Sequence, residues 1–191
     1  MPVTYYTEEE FNDLKKIIDA YSYFSSDIER YFERFDRTEN RKDSYKIDEY
    51  NFIPLDMHRF ISCMIFVLNL FKDKKFFKLK FLDVGCGVGT KVLMACKLGF
   101  SYDSAGIEID KNLAEIGKKL TQLTIFNQNA LSFDSYNEYD VIYYYVPIKN
   151  SKKEEQLEEK IENEMKIGSI LMPFSKVSAK IEKDERFEII Q

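Results

Sequence analysis

A glycine-rich segment carries the residue types best suited to hold a nucleotide-type cofactor. In FLDVGCGVGT, residues 81–90, Asp83 ends a short apolar run, and Gly85, Gly87 and Gly89 follow before a helical pattern begins. Glycine lets the backbone turn sharply and approach a ligand closely, and the N-terminus of the following helix presents oriented N–H groups. The spacing therefore predicts a cofactor cradle at the end of a strand.

Two common nucleotide-binding motifs do not fit this segment. The dinucleotide fingerprint GxGxxG requires Gly or Ala where this chain has Thr90. A P-loop also fails, because no Gly-Lys-Ser or Gly-Lys-Thr follows the glycines. Hydride-transfer cofactors are therefore disfavoured, and a different nucleotide-type cofactor stays open.

The segments that must position this loop alternate between short apolar runs and helical patterns from Lys80 onward. Such alternation is typical of a parallel sheet with crossover helices. The predicted strands are residues 80–84, 104–109, 123–127, 139–146 and 168–174, and the predicted helices are residues 90–98, 112–120 and 151–166. The last of these helices is rich in Lys and Glu, so we interpret it as a solvated amphipathic helix.

The N-terminal part of the chain is predicted to form a helical cap, residues 1–75, packed on the sheet. Thr7 and Glu10 have the spacing of a capping box at the start of the first helix. A second helical pattern follows, and a third helix is expected to begin near Pro54 and to run through an apolar segment to about Phe71.

The remainder, residues 76–191, is predicted to form the cofactor-binding core. The whole chain is expected to make one structural domain, since 191 residues lie in the usual one-domain range. After Phe174 only two strand-like runs remain, KVSAKIE and RFEIIQ, and they predict a closing antiparallel hairpin.

The segment DVGCGVG resembles motif I, DxGxGxG, of the class I S-adenosylmethionine-dependent methyltransferases. Further matches are GIEID at the end of the second strand, NQNAL after the third and YDVIYYYVPI at the fourth. The resemblance covers residues 81–174 and implies an α/β fold with a three-layer, doubly wound, mostly parallel Rossmann-like sheet. Here the sheet would carry an N-terminal helical extension and a shortened C-terminal antiparallel hairpin.

The resemblance also implies an enzyme that uses S-adenosyl-L-methionine, and it gives roles to individual residues. Glu108 matches the acidic residue that accepts hydrogen bonds from both ribose hydroxyls, a task that suits an acceptor-only carboxylate. Asp83 would lie near the methionine part of the cofactor, and Asn129 with Ala130 would contact the adenine. The expected cofactor-binding residues are Asp83, Gly85, Cys86, Gly87, Gly89, Glu108, Ile109, Asn129, Ala130 and Tyr144.

The sequence does not identify the methyl acceptor or the catalytic residues. The residues YYVP stand where amino-methylating enzymes have [DN]PP[YF], and no Pro-Cys pair is present, so methylation of base amines and base carbons is disfavoured. An oxygen or another nitrogen acceptor stays open. Candidate catalytic residues are Tyr144, Tyr145 and His58, whereas Cys86 is interpreted as a small loop residue and not as a nucleophile.

Two alternatives to an active methyltransferase stay open. A catalytically silent subunit or regulator would bind S-adenosylmethionine through the same loop. Another enzyme on this scaffold, such as an aminopropyl transferase, is disfavoured because no paired acidic residues follow the fourth strand.

The short C-terminus departs from the family, which normally has a further helix there, so the acceptor site is expected to be open or to be covered by the N-terminal helices or by a second subunit.

Composition narrows the class of partner. The formal net charge of −5 argues against a whole-surface nucleic-acid binder, so a small-molecule or protein acceptor is favoured. The three cysteines lack CxxC spacing, so neither a disulfide framework nor a metal site is expected. The N-terminal sequence does not resemble a signal peptide and the apolar runs are short, which predicts a cytoplasmic protein without a membrane partner and leaves a homo-oligomer open.

Overall fold

The computed structural model describes residues 57–71, 78–174 and 176–190. The first two predicted N-terminal helices lie outside the described residues. The third helix is confirmed as α1, Met57–Leu70.

Five parallel strands form one sheet in the order β3-β2-β1-β4-β5. Their bounds are β1 Phe81–Val84, β2 Ala105–Glu108, β3 Thr124–Asn127, β4 Val141–Tyr145 and β5 Ile170–Phe174. At the carboxyl end of β1, Val84 is in register with Ile107 of β2 and with Tyr144 of β4. Because chain order reverses at β1, the carboxyl ends of β1, β2 and β4 border the crevice where open α/β sheets bind ligands.

Three further helices connect the strands: α2 Thr90–Leu98, α3 Lys111–Thr121 and α4 Ser151–Glu164. Their ends follow local signals. Gly99 ends α2 with a φ of 119°, a conformation that favours glycine, and Asp110 begins α3 by accepting hydrogen bonds from the N–H groups of Asn112 and Leu113. The predicted crossover helices are therefore confirmed to within two residues of their bounds.

The sheet separates two hydrophobic layers. Side chains alternate along each strand, so Phe81 and Tyr143 point to one face while Leu82 and Tyr144 point to the other. The first face packs against α1, α2 and α3, and the second against α4 and two short 3-10 helices, Ala130–Ser132 and Tyr136–Glu138. The prediction of a three-layer, doubly wound α/β fold is confirmed.

The predicted antiparallel hairpin is wrong. Residues 176–190 contain no strand; they form a 3-10 helix, Lys180–Lys183, within irregular chain. The N–H groups of Val177 and Ser178 donate to the Glu158 carboxylate of α4 at 2.8 and 2.9 Å, so they are not available to a neighbouring strand. No helix among the described residues has both the length and the apolar character needed to cross a membrane.

Candidate cofactor site

The glycine loop between β1 and α2 is tied to the neighbouring strand by its backbone. The N–H groups of Gly85 and Cys86 both donate to the carbonyl oxygen of Ile107 in β2, each at 2.9 Å. Gly85 and Gly87 have φ values of 80° and 56°, which side chains disfavour. The loop is thus held at the carboxyl edge of the sheet, next to the end of β2.

Glu108, the last residue of β2, is connected to this loop through its side chain. One carboxylate oxygen accepts from the Gly87 N–H at 2.8 Å, and the other accepts from the Asp110 N–H at 2.8 Å. Burial raises the pKa of Glu108, and the hydrogen bonds from Asp110 and Gly87 partly offset that rise. An ionised carboxylate offers about four lone-pair sites, so two acceptor sites remain for a ligand.

Asp83 lies beneath the loop with a lysine that sequence analysis did not single out. Its side chain is 1% exposed, and the Lys91 Nζ of α2 lies 3.9 Å from its Oδ2. Lys91 is in the first turn of α2, where the helix dipole disfavours a cation. That position is only a weak sequence signal, because the helix dipole disfavours a cation there by about 0.3–1 kcal/mol.

The Cys86 side chain turns from the loop into the core. A Cβ added at Gly106 of β2 would come within 2.4 Å of the Cys86 sulfur, so the thiol fills the space that this glycine leaves. Burial, followed by the negative charges of Asp83 and Glu108, raises the pKa of Cys86 well above its usual value. A buried neutral thiol is a poor nucleophile, in agreement with the interpretation of Cys86 as a small loop residue.

Three more of the expected cofactor-binding residues, Ile109, Asn129 and Ala130, lie at the same edge, after β2 and β3. Ile109 is 42% exposed directly after Glu108. The exposed Asn129 accepts from the Leu131 N–H at 3.0 Å and begins the 3-10 helix that contains Ala130. Asn127, which was not predicted, joins the two strand ends by donating to the carbonyl oxygens of Glu108 and Ile109, each at 3.0 Å.

The end of β4 lies against the glycine loop from the other side. A Cβ at Gly85 would lie 3.2 Å from the Pro147 Cβ, so the two loops are in close contact. Tyr144 is buried in the second hydrophobic layer, whereas Tyr145 is half-buried against the first. Between Tyr145 and Pro147, Val146 has a φ of 39°, which is rare for a β-branched residue.

The structure therefore brings the β1 loop and the ends of β2, β3 and β4 to one edge. It places Tyr144 in the core and not on that edge. His58 lies in the first turn of α1, and its catalytic role stays a prediction.

No protein-family model matches this chain, and no curated protein matches its sequence. Solved structures are similar in fold. DesVI from Streptomyces venezuelae is 16% identical, with 60% of this chain and 51% of that chain covered and a TM-score of 0.45. The sugar N-methyltransferase KedS8 from Streptoalloteichus sp ATCC 53650 is 17% identical, with 60% and 49% covered and a TM-score of 0.45. Magnesium protoporphyrin IX methyltransferase (ChlM) from Synechocystis PCC 6803 is 17% identical, with 73% and 71% covered and a TM-score of 0.44.

This chain spans about half the length of the first two of these structures. At such identities the similarity concerns the fold alone. The strand order and the glycine loop after β1 make the fold Rossmann-like.

Proposed function

We propose that this chain is an S-adenosylmethionine-dependent methyltransferase that acts on an oxygen or nitrogen acceptor. The observation that carries the proposal is the hydrogen bond between the Gly87 N–H and the Glu108 carboxylate. It joins a glycine loop and an acidic strand end into one unit at the sheet edge, with acceptor sites left on the carboxylate. Such a unit suits the ribose of a nucleoside cofactor.

The residues around this unit fit the rest of the nucleoside. Glu108 would accept from the ribose hydroxyls, and the exposed Ile109 beside it offers an apolar surface to the adenine. Asn129 and Ala130 lie at the next strand end, where they would border the same ring. Asp83 and the backbone of the glycine loop would be nearest to the amino-acid end of the cofactor.

The bound cofactor would supply a methyl group on a sulfonium, which an acceptor displaces directly. The protein's contribution is then to hold donor and acceptor in line and to exclude water. Gly85 and Pro147 bring the cofactor loop and the end of β4 into contact, so an acceptor bound beyond β4 would lie beside the cofactor. We further propose that residues 76–191 contain the cofactor site, with a small molecule or a protein as acceptor.

A calorimetric titration tests the cofactor. S-adenosylmethionine and S-adenosylhomocysteine are titrated into the wild type, Glu108→Gln and Glu115→Gln, with NAD as a control ligand. Wild type and Glu115→Gln should bind both sulfur nucleosides, because Glu115 lies on α3 in an exposed pair with Lys111. Glu108→Gln should bind them about tenfold to a hundredfold more weakly, since it loses charge-assisted hydrogen bonds.

Absence of binding to the wild type, or binding of NAD alone, would remove the proposal. The burial of Tyr144 favours a second candidate, a catalytically silent subunit that binds the cofactor, because this candidate catalytic hydroxyl does not face the edge. Formation of S-adenosylhomocysteine with a panel of hydroxyl and amine acceptors separates the two candidates, since a silent subunit would bind without turnover.

A further inference from the structure

Lys91 is a buried cation in an unusual place. Its side chain is 7% exposed although it lies in the first turn of α2, at the positive end of the helix dipole. Burial of an ammonium is costly unless opposite charge or a polarisable surface compensates it. Here the Asp83 carboxylate lies 3.9 Å from Nζ, and the ring centroid of Tyr143 lies 6.0 Å away.

Three buried charges surround the same short loop. The negative charges of Asp83 and Glu108 raise the pKa of the Cys86 thiol, after burial, while the positive charge of Lys91 lowers it. All three groups therefore act on the Cys86 thiol, which lies in the core directly beneath the glycine loop. Buried charges are screened little by salt, so a ligand held by this loop would also experience each of them.

We propose that Lys91 balances the charge of Asp83 and thereby sets the preference of the site between the sulfonium donor and its sulfide product. This inference rests on the proposed function. S-adenosylmethionine carries one positive charge more than S-adenosylhomocysteine, and the extra charge is on sulfur. The Asp83 carboxylate favours that charge and the Lys91 ammonium opposes it, so the pair together leaves the two ligands more evenly bound than either charge would alone.

The test is the ratio of two dissociation constants, Kd of S-adenosylhomocysteine over Kd of S-adenosylmethionine, measured by calorimetry at pH 8. Asp83→Asn removes the negative charge of the pair, and the ratio should fall by about threefold to tenfold. Lys91→Met removes the positive charge of the pair, and the ratio should rise by a similar factor. The double variant Asp83→Asn with Lys91→Met should return to within about twofold of the wild type.

Two controls keep the experiment decisive. Lys97→Met removes an exposed lysine from the same helix and should leave the ratio unchanged. Lys91→Arg keeps the positive charge and should keep the wild-type ratio. A loosened fold weakens the binding of both ligands by the same factor, so the ratio reports charge and not stability.

The failures are distinguishable. If the wild type binds neither sulfur nucleoside, the proposed function fails and the inference falls with it. In a second outcome the wild type binds both ligands while Asp83→Asn leaves the ratio unchanged, or while adding Lys91→Met to Asp83→Asn fails to restore the ratio. In either case Lys91 is only a structural partner, and the inference is overturned while the proposed function stands.

Discussion

In the part of the chain that the structure describes, buried carboxylates lie beside the glycine loop and on α4, and their partners differ. Beside the glycine loop, Glu108 accepts from two backbone N–H groups and Asp83 lies close to Lys91. On α4, three glutamates on one face are buried: Glu154, Glu158 and Glu162. One lysine, Lys176, lies 3.0 Å from Glu158 and 2.5 Å from Glu162.

Within the described residues, the third of these glutamates, Glu154, has no lysine partner, and its Oε1 makes no hydrogen bond. Burial, followed by the charge of Glu158, raises the pKa of Glu154 to about 7. Backbone donors thus satisfy Glu108 beside the loop and Glu158 on α4, whereas Glu154, whose Oε1 has no donor, has a pKa near neutrality.

Glu158→Ala should have the largest effect on the stability of the fold. The substitution removes the acceptor for the Val177 and Ser178 N–H groups and leaves Lys176 with less compensation, so the free energy of unfolding should fall by about 3–5 kcal/mol. Chemical denaturation of the variant and the wild type measures this loss of stability. Glu159→Ala is the matched control, because Glu159, the next residue on the helix, makes only an exposed ion pair with Lys180. Equal losses from both variants would show that the buried anchor contributes no more than a surface pair.

On the loop side, Gly106→Ala should lower the free energy of unfolding by less than Glu158→Ala does. Its Cβ would lie 2.4 Å from the sulfur and 2.7 Å from the Cβ of Cys86, so the loop must shift, at a cost of about 1–3 kcal/mol. The same substitution in a Cys86→Gly background should cost clearly less, because both clashing atoms are gone. Thermal and denaturant unfolding of the four proteins measure the coupling; additive effects would contradict the contact.

The smallest effect is a pH dependence on the α4 side. A folded-state pKa of about 7, above the usual value of 4.5, means that the contribution of Glu154 to stability is fully present below pH 4.5 and is lost as the pH rises through 7. Glu154→Gln removes this titration. Its stability relative to the wild type should therefore rise between pH 5 and pH 8, by about 1–2 kcal/mol after allowance for solvent screening at a helix end.

Unfolding measured at several pH values checks this prediction. Glu155→Gln, a half-buried neighbour paired with Lys180, is the control and should show no such trend. A constant difference between Glu154→Gln and the wild type across the range would mean that Glu154 keeps its ordinary titration.

The two regions also differ in how far the sequence predicts them. The strands and the α2 and α3 bounds were predictable because their signals are local: apolar runs, the Gly99 stop and the Asp110 cap. The loop with Glu108 was predictable because a recognisable motif specifies it. For α4, the i, i+4 spacing of Leu157 and Ile161 indicated the apolar face correctly, but it gave no sign that glutamates beside it are buried.

The remaining errors have one physical origin. The run KVSAKIE has the composition of a strand, yet the distant Glu158 captures its N–H groups. Lys91 resembles a surface lysine until β1 places Asp83 beneath it. Such long-range pairs depend on which elements become neighbours, and single-residue propensities do not contain that information.

Val146 has a consequence for which substitutions this chain tolerates. Its left-handed backbone combines two disfavoured choices, a β-branched residue at positive φ and a residue in that conformation before proline. The ranking of amino acids at this position should therefore be the reverse of that in the adjoining strand. In a substitution scan scored by thermal stability, glycine and asparagine should rank first and isoleucine no better than valine.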